Sequence, residues 1–150
     1  MTVIINAKEI NKMITLLTGT KGSGKTKKLL ALIEDAAAVS AGHVICVEQK
    51  DALRYDVKPS VRLVSTDYYG VKGYDAFYGL LAGLCAGDHD ITDVLIDATL
   101  RIGSRDMDEL AAFLAKVNNL AKESETKFTF TVSTETENIP ASVLEFCELK

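Results

Sequence analysis

At 150 residues, with 47% hydrophobic and 25% charged residues, the chain has the size and mix of one soluble globular domain, able to bury a core without disulfide or metal staples. A formal charge of −4 and an isoelectric point near 5.2 speak against a dedicated nucleic-acid binder, which carries a basic excess. Cys46, Cys85 and Cys147 form no C-x-x-C pair, which argues against a zinc ribbon or a redox dithiol and suits a reducing cytoplasm. No apolar run approaches the roughly 18 residues of a membrane span, and the first twelve residues lack the apolar segment of a signal peptide, so the expected location is cytoplasmic.

In chain order, residues 1–12 read as an N-terminal extension or an edge strand, or as an upstream start before Met13, and residues 13–150 as a single domain. "MITLLT" (13–18) is a short apolar run that reads as a buried strand ending at Gly19. From Gly24 the spacing of Leu29, Leu32, Ile33 and Ala36 predicts a helix, with Gly42 as its stop. "HVICVE" (43–48) and "VRLVST" (61–66) read as strands. Phe77, Leu80, Leu81 and Leu84 predict a helix over 74–87, in which Gly79 and Gly83 would allow close packing. "DVLID" (93–97) is a fourth strand. A helix over 106–122 follows, striped by Leu110, Phe113, Leu114, Val117, Leu120 and Ala121, with Asp106 and Glu109 spaced as a capping box. "KFTFTVS" (127–133) alternates as a strand, and Pro140 suits the first turn of a last short helix. Apolar strands alternating with helices predict an α/β fold of three layers, a mostly parallel sheet of about five strands with helices on both faces.

"TGTKGSGKTKK" (18–28) contains G-x-x-x-x-G-K-[ST] in full, placed between a predicted strand and a predicted helix. Gly19, Gly22 and Gly24 permit backbone angles closed to other residues, so that the amides of Gly19, Thr20, Lys21, Gly22, Ser23 and Gly24 can approach phosphate oxygens. The helix start adds its positive dipole end. Lys25 would reach the β- and γ-phosphates and Thr26 would offer its hydroxyl to Mg²⁺. Asp97, closing the fourth strand, is the candidate carboxylate for Mg²⁺ through water. The expected ligand is therefore a nucleoside triphosphate, ATP or GTP, with Mg²⁺; the loop does not select the base.

Hydrolysis also needs a group that orients water. Glu48, at the end of the strand after the first helix, is the candidate catalytic residue; the competing reading is a strand-end surface carboxylate. Thr66, Asp67, Thr99, Ser133 and Thr134 also lie at strand ends, where ligands of open parallel sheets bind, and Ser133 or Thr134 could sense the γ-phosphate. Arg101 and Arg105 follow the Asp97 strand, either as surface residues or as arginine fingers. Residues 67–79 hold four of the five tyrosines. Tyr68, Tyr69 and Tyr74 are candidates for recognition of a base or of a protein partner, while Tyr78 is expected to pack in its helix. His43 and His89 read as isolated.

With this loop and Asp97, nearly the whole chain resembles the P-loop NTPase superfamily. "MITLLTGTKGSGKTKKLL" is also similar to small uncharacterised bacterial ATP-binding proteins. The place of Glu48 resembles that of the catalytic Glu in recombinase and rotary-ATPase cores, whereas the many superfamily members with Glu directly after the Mg²⁺ Asp differ from this chain, which has Ala98. Lys50, Asp51, Arg54 and Tyr55 resemble the second-strand region of thymidine kinases, which differ in carrying Asp-Glu after the fourth strand and a zinc lobe. These resemblances imply a weak or partner-stimulated NTPase. Alternatives are a nucleoside or nucleotide kinase of thymidine-kinase-like topology, and a non-hydrolysing switch or assembly module; an oligomer is compatible with each.

Overall fold

A computed structural model describes residues 12–150. The expectations for residues 1–12 fall outside the described residues, except for Lys12, whose ammonium donates to the Leu144 carbonyl at 3.4 Å.

Six strands form one all-parallel sheet: β1 (Ile14–Thr18), β2 (His43–Glu48), β3 (Arg62–Ser65), β4 (Ile91–Ile96), β5 (Lys127–Val132) and β6 (Cys147–Leu149). Their order is β3-β2-β4-β5-β1-β6. The expected count of about five strands is thus corrected to six. β6 pairs Cys147 with Ile14 and Leu149 with Leu16, and at three residues it is too short to show an alternation. The last helix expected at Pro140 is instead two single 3₁₀ turns, Thr136–Asn138 and Val143–Glu145. Ile139 and Val143 are buried there, and the chain must re-enter the sheet at Cys147, which leaves no length for a helix.

Helices α1 (Lys25–Val39), α2 (Tyr74–Gly87), α3 (Thr99–Ile102) and α4 (Met107–Ser124) complete the three layers. The period of two divides the sheet residues between two cores. Ile45, Val47, Val94, Ile96, Phe128 and Phe130 face α2 and α4, where Phe77 stacks on Phe113 with ring centroids 4.8 Å apart. Val44, Cys46, Leu95 and Leu17 face α1 through Leu29 and Ile33. All three cysteines are buried and free, and burial pushes the Cys46 and Cys147 thiols up to about 12.

Several local readings change. α1 ends at Val39 rather than at Gly42. Gly42 serves close approach, since a Cβ there would strike the Asp90 carbonyl. Gly79 and Gly83 do not mediate close packing, because a Cβ at either would meet open space. The capping box is half formed: the Asp106 carboxylate accepts from the N–H groups of Asp108 and Glu109, while Glu109 turns to the Ser104 hydroxyl. Among the described residues no helix is long and apolar enough to cross a membrane.

The topology opens a crevice. From β1 the chain runs through α1 to β2, on the β3 side of the sheet; from β4 it runs through α4 to β5, the other way and over the opposite face. Such a divergence at the carboxyl ends of strands is where open α/β sheets take ligands.

Candidate functional site

The loop from Gly19 to Gly24 leaves β1 at that crevice. Its glycines hold φ of +141° at Gly19, +87° at Gly22 and +86° at Gly24, all closed to side chains without strain. A Cβ on Gly19 would also collide with the Ser23 hydroxyl. The loop is held by two backbone bonds, Gly19 N–H to the Thr134 carbonyl at 2.9 Å and Ser23 N–H to the Thr20 carbonyl at 3.1 Å. Among the described residues, the N–H groups of Gly22, Gly24, Lys25 and Thr26 have no hydrogen-bond partner. Gly24 caps α1 without a side chain, and the first turn carries no acid. The helix start therefore presents unpaired donors and an uncompensated positive dipole end.

Lys25 is buried, 8% exposed, and curls back over its loop. Its ammonium donates to the Thr20 carbonyl at 2.8 Å and to the Ser23 hydroxyl at 3.4 Å. Burial holds its pKa below the ordinary value, with the Asp97 charge opposing. Thr26, one residue on, donates to Asp97 Oδ2 in a long bond of 3.4 Å. Lys25, Thr26 and Asp97 are thus gathered at one place, although Thr26 and Asp97 lie 71 residues apart in the chain.

Asp97 follows β4, on the α1 side of the sheet, and its other oxygen is organised by β5. Thr131 Oγ1 donates to Asp97 Oδ1 at 2.6 Å, and the Ala98 N–H reaches both Asp97 Oδ1 (3.0 Å) and Thr131 Oγ1 (2.9 Å). Ala98 pays for this with φ of +63°, a left-handed conformation that costs a residue with a Cβ about 1–2 kcal/mol. Sequence reading passed over Thr131. The signal was the polar half of "KFTFTVS", since Thr129, Thr131 and Ser133 share the face opposite Phe128 and Phe130.

Glu48 ends β2 next to β4, where the Asp97 N–H donates to the Val47 carbonyl. It is buried, 4% exposed, not the surface carboxylate of the competing reading. Its Oε2 accepts from the Leu53 N–H at 3.1 Å, which ties down the turn after β2. Burial raises its pKa; the Leu53 and Ala52 amides pull it down, and the charges of Asp97 and Asp51 push it further up. Glu48 is therefore close enough to Asp97 to feel it, and already engaged in holding a loop.

None of the remaining candidates bonds to the side chains of Lys25, Thr26 or Asp97 among the described residues. Arg105 donates to the Ser133 carbonyl at 3.1 Å, and Arg101 is exposed on α3. The Thr134 hydroxyl accepts from the Asn138 amide at 3.1 Å. Thr66 and Thr99 are fully buried, their hydroxyls unpaired among the described residues, and Asp67 is exposed after β3. Tyr68 and Tyr69 are exposed and meet edge to face, with centroids 5.1 Å apart. Tyr74, expected among them, is instead packed: its ring lies 4.9 Å from that of Phe113 and its hydroxyl donates to the Ser104 carbonyl. Tyr78 is part-buried in α2, with the Lys116 ammonium over its ring. Asp51 and Arg54 form a surface ion pair of 3.1 Å beside Tyr55. His43 is not isolated, since its Nδ1 lies 2.6 Å from Asp88 at the amino end of β2, with Asp90 near. Neither a protein-family model nor a curated protein sequence matches the chain.

Proposed function

We propose that the chain is a Mg²⁺-dependent binder of ATP or GTP of the P-loop type, with weak or partner-stimulated hydrolysis. The observation that carries this is the uncapped start of α1. Four neighbouring N–H groups lack partners among the described residues, framed by three positive-φ glycines, with Lys25 and Thr26 in the first helical turn and Asp97 opposite. Unpaired amides at a helix start fit phosphate oxygens, and the exposure of Gly22, Gly24 and Thr26 leaves them open to a ligand.

In this reading the amides of Gly22, Gly24, Lys25 and Thr26 hold the phosphates and Lys25 exchanges its bond to Thr20 for the β- and γ-phosphate oxygens. Thr26 and Asp97 hold Mg²⁺, which neutralises charge on the phosphates. Thr131 keeps Asp97 aimed, and Asp97 takes the cation directly or through water. Slow turnover follows from Ala98, which offers a methyl where a group to orient water would sit, and from Glu48, whose carboxylate is engaged by Leu53. Calorimetry should give one-to-one binding of Mg·AMP-PNP or Mg·GMP-PNP that is weaker but still measurable in EDTA; no heat at millimolar nucleotide would overturn the reading.

The exposure of Tyr68 and Tyr69 supports a second reading, in which nucleotide orders the tyrosine segment for a protein partner; of residues 67–79 only 67–73 remain outside α2, so the reading narrows to them. Gly73 N–H donates to the Ile102 carbonyl, which links that segment to the turn after Asp97. Hydrogen exchange would then slow across 67–73 on nucleotide addition, and unchanged exchange would remove this reading.

A further inference from the structure

A second cleft, of about 460 Å³, adjoins the phosphate loop. That volume suits a small molecule. Its lining includes Thr20 and Lys21 of the loop, Ala98 and Arg101 after β4, Arg105, and Thr134 after β5. Lys21, Arg101 and Arg105 set three cations against one carboxylate, Glu135, in a chain whose net charge is −4.

Two of the three cations leave fixed points of the fold. Arg101 is the exposed member of α3, whose Thr99, Leu100 and Ile102 are all buried, so packing fixes where Arg101 leaves the turn. The Arg105 guanidinium is tied to the Ser133 carbonyl at 3.1 Å. Thr134 is tied to the phosphate loop through the Gly19 N–H at 2.9 Å, so loop and cleft share a wall. Ala98 contributes only a methyl, which leaves the space open and offers nothing to hold a single water. Guanidinium forks match tetrahedral oxyanions, and two of them beside an ammonium favour a dianion.

We propose that this cleft binds a second ligand, a small phosphate-bearing molecule, next to the phosphates of the nucleotide. The inference rests on the reading of residues 19–26 as a nucleotide site and extends it to two anions held side by side. Of the loop, the cleft is lined by Thr20 and Lys21 and by none of residues 22–26, so it borders the nucleotide phosphates, with Lys25 reaching the Thr20 carbonyl between them, while drawing on different side chains.

The test is a titration of inorganic phosphate into the full chain already saturated with Mg·AMP-PNP. Saturable phosphate binding is expected, weakened about tenfold or more by Arg101→Gln, with AMP-PNP affinity unchanged in a separate titration. Ala98→Glu should abolish phosphate binding by placing a carboxylate in the cleft; it keeps a Cβ and so adds little backbone strain. Should Ala98→Glu fail to fold, Arg101→Gln decides alone, since Arg101 is exposed and its loss leaves the core intact. A chain that binds AMP-PNP but takes up no phosphate overturns the second site and leaves the nucleotide reading standing. Equal phosphate uptake by the wild type and the Arg101→Gln variant does the same. If AMP-PNP does not bind, the titration is run with Mg·GMP-PNP, and a chain that binds neither overturns both.

Discussion

α1 and α4 begin in opposite ways. α4 opens on Asp106, whose carboxylate accepts from the Asp108 and Glu109 N–H groups at 2.9 and 3.1 Å, and its first turn is acidic. α1 opens on left-handed Gly24, with no side-chain cap, no acid in the first turn, and Lys25, Lys27 and Lys28 in and beside it. A glycine start such as that of α1 forgoes only about a few tenths of a kcal/mol relative to a side-chain cap. α4 uses its start for stability. α1 leaves its donors free at the carboxyl edge of the sheet, beside Asp97 and Thr26, and this is the pattern expected when an anion completes the cap.

Changes at the two helix starts should therefore separate binding from stability. The largest effect is expected from Lys25→Ala, which should weaken Mg·nucleotide binding on the order of tenfold to a hundredfold in calorimetry, the worth of a charged hydrogen bond. Thermal stability should move little, because Lys25 is a desolvated cation whose hydrogen-bond partners among the described residues lie within its own loop. Equal affinity in variant and wild type would break the comparison. Asp97→Asn should come next, lowering affinity about tenfold in Mg²⁺ and much less in EDTA. An equal loss in both conditions would remove Asp97 from the cation site.

The mirror-image experiment is at α4. Asp106→Ala should cost about 1 kcal/mol, or about 3 °C in melting temperature for a domain of this size, and leave nucleotide affinity untouched. A loss of affinity there would mean that the two helix starts are coupled. The smallest effect concerns Glu48. Burial raises its carboxyl above the ordinary value of 4.5, so the folded chain holds that proton more tightly than the unfolded one. The resulting stabilisation is complete below the ordinary value and is lost as pH rises through the folded value. Wild-type stability should therefore fall as pH rises above 4.5, relative to Glu48→Gln, which keeps an acceptor for the Leu53 N–H. Parallel pH profiles would contradict this. The same variant tests catalysis: if Glu48 orients water, turnover falls and binding stays.

Much of this was legible from periodicity. Five strands and three long helices follow from apolar runs and from the stripe of Leu110, Phe113, Leu114 and Val117, because burial on both sheet faces demands such runs. The phosphate loop was legible because its glycines sit where only glycine is unstrained. What escaped were features set by contact across the chain. α3 has four residues and β6 three, both below the length at which a period can be read. Tyr74 looked exposed beside Tyr68 and Tyr69, yet docks on Phe113 because α4 crosses there. Thr131 gains its meaning only from β5 lying between β1 and β4, a strand order that no local pattern encodes.

The most direct measurement is an amide-resolved NMR titration with Mg·ATP. Large, saturable shifts are expected at the N–H groups of Gly22, Gly24, Lys25 and Thr26, and none beyond the noise at Asp108 and Glu109. Unmoved amides in the 19–26 loop at saturating nucleotide, or equal shifts at both helix starts, would contradict this.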